Sequence, residues 1–263
     1  MYADCFSFPP GFLSKQPHLL EKLLRYLLLL KQSYPLVLPG EPIKKLSLMI
    51  TFDYASVDFY AHIFPFLQTH HIPAVVGIAW RYVAENSAQT LPLSYRLAPS
   101  ETLAFQDEVF AKHQPFCSQQ ELQALADSPL IRLASSGFAI RNLQNTPPYL
   151  ATEIFLSKYS IEKALGQNPV GFFYPFGKYD HICEQTVRKY YPFSFVLGDI
   201  INMKNKNHRI YRLDMMRAAY TLPRPIHNPH YVKNWLIDRC QQMRLRWYPY
   251  AKEPIAFQGS SSQ

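Results

Sequence analysis

The run Leu46-Ser47-Leu48-Met49-Ile50-Thr51-Phe52-Asp53 constrains the fold of this chain more than any other stretch. It is short and apolar, follows Lys44-Lys45 and ends on a carboxylate, the pattern of a strand buried on both faces of a parallel sheet. Asp53 then stands at the strand's carboxyl end, where α/β folds gather ligands because the loops there converge polar side chains over a rigid sheet. Runs of the same kind recur with helical patterns between them. Residues 57–71 read as a helix and 73–79 as a second buried strand; Ser118-Gln119-Gln120-Glu121 is a capping box opening a helix that ends near Asp127, and 130–135 follow as a strand. Residues 152–165 are helical with Gly166 placed to stop them, 170–174 are a strand, 180–190 a helix and 193–197 a further strand. Such alternation makes an α/β protein, and 263 residues with 48% hydrophobic content suffice for one large core of α/β-barrel size.

Three stretches carry the chemistry. Residues 51–55 read Thr-Phe-Asp-Tyr-Ala; residues 116–143 lead from the capping box through a strand to Ser136, Ile140 and Asn142-Leu143; residues 171–180 read GFFYPFGKYD. In order and spacing, across residues 45–215, they resemble the polysaccharide deacetylases of the NodB-homology type. That family's first motif is Thr-Phe-Asp-Asp, its second Ser-His-x-x-x-His, and its third an aromatic-Tyr-Pro-aromatic-Gly loop that lines a sugar groove. The resemblance implies a distorted (β/α) barrel and, for the family, metal-dependent N-deacetylation of carbohydrates. It also implies roles. Asp53 takes the catalytic base position, and Tyr174, Pro175, Phe176 and Gly177 the substrate-binding positions.

The metal-ligand positions depart from the pattern, for they become Tyr54, Ser136 and Ile140. Zinc and its relatives need imidazole, thiolate or carboxylate donors; Ile140 has none, and a neutral Tyr and a Ser are poor substitutes. The loss is large, because a bound metal takes water from a pKa of roughly 16 to roughly 7, about 12 kcal/mol toward making hydroxide. No metal or other cofactor is therefore expected, although the family uses a divalent ion such as zinc. Tyr54 could fill the vacated space and hydrogen-bond Asp53 or an acetamide. Two main functions follow from this: a non-catalytic or weakly catalytic relative that keeps the glycan groove, or an amide hydrolase of N-acetyl sugars with Asp53 as base and donors drawn from Asp58, His62 or His181. A third is an interaction or scaffold protein that uses the barrel only as a body. Asp58 and His62 share a helix face at i, i+4, where an acid near the helix start and a half-buried His is the structural alternative. His70-His71, at the end of the same helix, suit its carbonyl end.

The segment 85–115 reads as an insertion over the site, or as a plain surface loop. Residues 1–45 are expected to be an N-terminal helix and lead-in packed on the barrel, 46–250 the barrel and 251–263 a C-terminal tail, disordered over Gly259-Ser260-Ser261-Ser262-Gln263. The leucine-rich stretch 19–30 contains Glu21, Lys22 and Arg25, too many charges for a signal-peptide core or membrane span. It reads as an amphipathic helix on the barrel or, alternatively, on a membrane surface. Cys5, Cys117, Cys183 and Cys240 form no Cys-x-x-Cys pair and suggest free thiols in a reducing, cytoplasmic setting. Residues 200–263 carry 11 Lys and Arg against 3 Asp and Glu, the whole net charge of +8. Lys204, Lys206, Arg209 and Arg212, then Arg239, Arg244 and Arg246 beside Trp235 and Trp247, form a basic face suited to an anionic glycan or headgroup surface. No nucleic-acid motif accompanies it. The expected partner is an N-acetylated or anionic glycan, with the oligomeric state open.

Overall fold

Each apolar run of the sequence becomes a strand in a closed, all-parallel barrel, and residues from both ends of the barrel region complete it. The seven strands follow one another around the barrel in chain order: β1 (Tyr2–Phe6), β2 (Leu48–Phe52), β3 (Ala74–Ile78), β4 (Ile131–Ser135), β5 (Gly171–Phe173), β6 (Phe193–Leu197) and β7 (Arg209–Asp214). β1 pairs with β2 on one side, from Tyr2↔Leu48 to Phe6↔Phe52, and with β7 on the other at Asp4↔Leu213 and Cys5↔Asp214, which closes the ring. The lead-in read for residues 1–45 therefore contains a barrel strand. This computed structural model describes residues 1–43, 45–84, 91–97, 99, 103–198, 200–202, 208–215, 233–237 and 240. They belong to two compact units, Met1–Arg224, which holds the barrel, and Pro225–Gln263, in which residues 233–237 are helical.

Helices cover the outside. α1 (Pro17–Ser33) starts with Pro at its first position, where the missing N–H costs nothing, and buries Leu23, Tyr26, Leu27 and Leu30 on its inner stripe. Tyr26 meets Phe6 of β1 edge-on at 6.3 Å, so this helix packs on the barrel as its amphipathic pattern suggests. A π-helical turn, Phe59–Ile63, runs into α2 (Phe64–Thr69). α3 (Leu93–Arg96) and α4 (Asp107–His113) follow, and then α5 (Gln119–Asp127) opens with the capping box: Ser118 Oγ accepts from Glu121 N–H at 3.3 Å, and Glu121 Oε2 from Ser118 N–H at 2.7 Å. A second π-helical turn, Ala151–Leu156, leads into α6 (Ser157–Leu165), which Gly166 ends at φ +64°. Asp180 caps α7 (His181–Tyr190) by accepting from Cys183 N–H at 2.8 Å. Arg96 of α3 is fixed to α5 by a buried pair, Nη1 to Glu121 Oε1 at 2.7 Å, which anchors the described part of the 85–115 segment. All four cysteines are free. Among the described residues no helix is long and apolar enough to cross a membrane.

Candidate functional site

Strand alternation decides what the barrel's upper end contains. Side chains two apart share a face, so Ala3, Met49, Val75, Ala134, Phe173, Phe195 and Ile210 point inward as the packed core of the barrel. Further along the same inward rows come Cys5, Asp53, Ser136, Leu197 and Arg212, Asp53 two steps beyond Met49 and the others one step on. These line a cavity of about 290 Å³ at the carboxyl ends of the strands. Gly77 on β3 makes the convergence feasible: a Cβ there would sit 2.6 Å from the Asp53 carbonyl oxygen and 2.8 Å from Phe173. Ser136 reaches across the gap, its hydroxyl donating to that carbonyl at 3.0 Å.

Asp53 is not a lone carboxylate. Arg212 Nη1 donates to Asp53 Oδ1 at 2.5 Å and to Thr51 Oγ1 at 3.3 Å, with the guanidinium 4.1 Å from the centre of the Phe173 ring. The arginine side chain is 1% exposed and that of Asp53 15%. Burial alone would lower the Arg212 pKa, but the Asp53 charge beside it raises it further and keeps the cation. Arg212 was expected on a solvated basic face; it lies inside the barrel instead. Arg209 is likewise engaged, paired with Glu184 of α7 and set over the Tyr179 ring at 5.4 Å. Lys204, Lys206, Arg239, Arg244, Arg246 and Trp247 lie outside the described residues. Cys5 also reaches Asp53, and burial pushes its thiol pKa well above the ordinary value, so a neutral S–H faces the carboxylate.

The three substituted positions meet at this same cavity. Tyr54, Ser136 and Ile140 all line it. The Tyr54 hydroxyl bonds Ser7, and burial, then the Asp53 charge, push its pKa up to about 12, so it is a neutral phenol. Its ring meets Phe105 at 5.5 Å, which ties the 85–115 segment to the back of the site. Ile140 sits at φ +56°, a left-handed conformation that is an outlier for a β-branched residue. It packs beside Tyr54, Tyr82 and Phe116.

Of the expected sugar-facing residues, Tyr174, Pro175 and Phe176 line the cavity. They differ sharply in exposure. Phe176 is 63% exposed, at φ +59°. Tyr174 is 2% exposed, its ring stacked on Tyr179 at 4.4 Å, so that ring belongs to the core beneath the cavity rather than to a stacking platform. Gly177 stands behind the wall at φ +67°, where a Cβ would meet Leu197 Cβ at 3.2 Å.

The relocated donors do not gather here. Asp58 is 1% exposed and His62 lies beside it, but the two meet through Ser14, whose hydroxyl is bonded to Asp58 Oδ1 and lies 3.0 Å from His62 Nε2. His181 bonds Gln185 on its own helix at 2.9 Å. Neither Asp58, His62 nor His181 lines the cavity. Sequence reasoning missed Arg212 and Cys5. The signal for Arg212 was its spacing of two from Ile210 in an alternating run, which a count of local charge hides.

Comparisons with known proteins agree with the barrel fold. Similar solved structures include the de-N-acetylase from Aggregatibacter actinomycetemcomitans, 15% identical over 84% of this chain and 97% of that one at a TM-score of 0.58. IcaB from Ammonifex degensii is 14% identical over 83% and 93%, at 0.61. The Streptococcus pyogenes deacetylase PplD, solved in complex with acetate, is 15% identical over 81% and 91%, at 0.58. These likenesses establish a barrel of the deacetylase type. The profile of the polysaccharide deacetylase family matches residues 40–191, more than half of the chain, and the chain belongs to that family. No curated protein matches it.

Membership corrects one expectation. The family is one of metal-dependent deacetylases, so a divalent ion is the group that membership implies, where the substituted motif pointed to no cofactor at all. The side chains around Asp53 fit such an ion poorly. Ile140 offers no donor atom, Tyr54 is a neutral phenol bonded to Ser7, and the Ser136 hydroxyl is given to a backbone carbonyl. Among the described residues no group of three or more His, Cys, Asp or Glu is placed to hold a metal.

Proposed function

We propose that this family member binds an N-acetylated glycan in the cavity at the barrel's upper end without deacetylating it. The observation that carries the reading is the pairing of Asp53 with Arg212 at 2.5 Å beside Tyr54, Ser136 and Ile140. A base held in a buried ion pair, with no group of metal donors beside it among the described residues, is poorly equipped to activate water. The groove-forming features are nevertheless retained: Phe176 stands exposed at the rim, and Pro175, Leu197 and Ile140 supply apolar surface opposite the Asp53 and Arg212 polar edge. An apolar wall facing a few polar groups is the usual make-up of a small-ligand site. Free thiols support a cytoplasmic setting.

The test is binding of N-acetylglucosamine oligomers by calorimetry, run beside acetate release with zinc, cobalt or nickel added. Binding that Phe176→Ala weakens, with no acetate above the Asp53→Ala background, is the expected result. Metal-dependent acetate release abolished in Asp53→Ala would overturn the reading in favour of a working hydrolase.

A further inference from the structure

One wall of the cavity hangs from a carboxylate that is neither in the cavity nor at the surface. Glu153 is 0% exposed and sits in the π-helical turn Ala151–Leu156, a helix irregularity that recurs at functional sites. Its two oxygens accept from the Ala139 N–H at 3.1 and 3.0 Å, and the nearby backbone amides of Phe138 and Arg141 favour its charged form. Arg141 Nε stands 3.8 Å away. Gly137, at φ +86°, brings the loop so close that a Cβ on it would lie 2.5 Å from Glu153 Oε2. The loop 136–141 is thus wrapped around a buried anion.

A buried carboxylate is expensive unless several donors converge on it, and an apolar residue would fill the same space without that cost. What the carboxylate adds is acceptor capacity: it takes up amides that a loop at this depth would leave unpaired. The amide bound is that of Ala139, with those of Phe138 and Arg141 nearby, on either side of Ile140. Their fixing over-determines the strained φ of +56° that turns Ile140 toward the cavity, beside Ser136.

We propose that Glu153 is a positioning residue. Its charge, not its volume, holds the 136–141 loop in the shape that presents Ser136 and Ile140 to a ligand, and so sets the cavity's affinity. This rests on the glycan reading for the identity of the ligand alone.

Glu153→Gln keeps the volume but removes one acceptor oxygen and turns an NH₂ toward the amides. Amide exchange at residues 138–141 should quicken by about tenfold, the equivalent of one charged hydrogen bond, while residues 157–165 keep their protection. The Kd for N-acetylglucosamine oligomers, measured where circular dichroism shows an intact fold, should rise by about the same factor. A merely structural role would lower the unfolding midpoint and leave that Kd unmoved. Gly137→Ala crowds the same carboxylate from the loop side and should reproduce both changes; it decides the matter if the Gln variant does not fold. Unchanged exchange at 138–141, or faster exchange with an unmoved Kd, overturns the proposal. Should the wild type bind no oligomer, the glycan reading falls and the exchange measurement alone decides whether Glu153 positions the loop.

Discussion

Replacing Arg212 by Met should be among the costliest single changes outside the apolar core. The substitution keeps most of the side chain's bulk against Phe173 and removes the charge that faces Asp53 at 2.5 Å. Taking away one partner of a buried pair costs about 3–5 kcal/mol, because the other charge remains uncompensated in a low-dielectric site. Asp53 keeps 15% exposure and its hydrogen bond with Cys5, which places the loss at the low end, about 3 kcal/mol. For a domain of this size each kcal/mol moves the midpoint by about 2–4 °C, so Tm should fall by about 6–12 °C. Removing both charges, as Arg212→Met with Asp53→Asn, leaves no orphan and should recover most of the loss. Urea unfolding at pH 7 by linear extrapolation, with equal slopes across the set, supplies the double-mutant cycle. A single-mutant cost below about 1 kcal/mol, or a double mutant no more stable than the Arg212 variant, would refute the claim that the two charges compensate each other inside the barrel.

Phe176→Asn should leave stability unchanged or raise it by up to about 1 kcal/mol, since Asn tolerates the left-handed backbone that Phe176 occupies at φ +59° and the exposed ring forfeits little packing. The same variant should lose oligosaccharide affinity; a thermal melt beside a titration checks both, and a clear fall in Tm would contradict the strain. Burial pushes the Glu184 carboxyl up, but Arg209 and Arg188 outweigh that and hold its pKa below the usual 4.5. A depressed folded-state pKa gives stability that is present above the unfolded value and lost as pH falls through the folded one, so Arg209→Met should flatten the stability–pH slope below pH 4.5. An unchanged slope in acid urea titrations would sink this. Tyr54→Asp, Ser136→His and Ile140→His together should retain zinc through dialysis where Tyr54→Asp alone does not, read by elemental analysis. Equal retention in the two would show that these positions do not form one donor set.

Most of the strands that carry the site were readable because buried parallel strands are short apolar runs, and β2, β3, β5 and β6 are close to that form, as is β4 apart from the exposed Arg132. The capping box at Ser118 and the Gly166 stop were readable too, because each has a local cause in its own side chain or backbone. β1 and β7 were not. Asp4 interrupts the first and two arginines the second, and the reason the arginines are tolerated lies elsewhere in the chain: Arg209 pairs with Glu184 of α7, and Arg212 is neutralised by Asp53, 159 positions earlier. A pairing at that separation leaves no local trace, and charge counted along the sequence assigns such a residue to the surface. Tyr174 shows a limit of the opposite kind. Its motif suggested a ring facing sugar, whereas Tyr179, five residues on, supplies the stacking partner that draws the ring into the core.

The cavity owes its shape to backbone more than to the side chains that fill it. Ile140 and Phe176, on loops after different strands, both hold left-handed conformations that neither residue favours, and such strain persists only where the surroundings enforce it. Around Ile140 the enforcement comes from Glu153 and the close approach at Gly137; around Phe176 it comes from the contact of Gly177 with Leu197 and from Asp180, which caps α7 and also accepts from the Asn145 N–H at 2.7 Å. None of these anchors is a donor position of the family's metal site. The side chains at Tyr54, Ser136 and Ile140 can therefore differ from the family pattern without collapsing the cleft. Changes at Glu153 or Gly177 should alter binding by moving the loops, whereas changes at the three substituted positions should alter the contacts offered to a ligand while the loops keep their course.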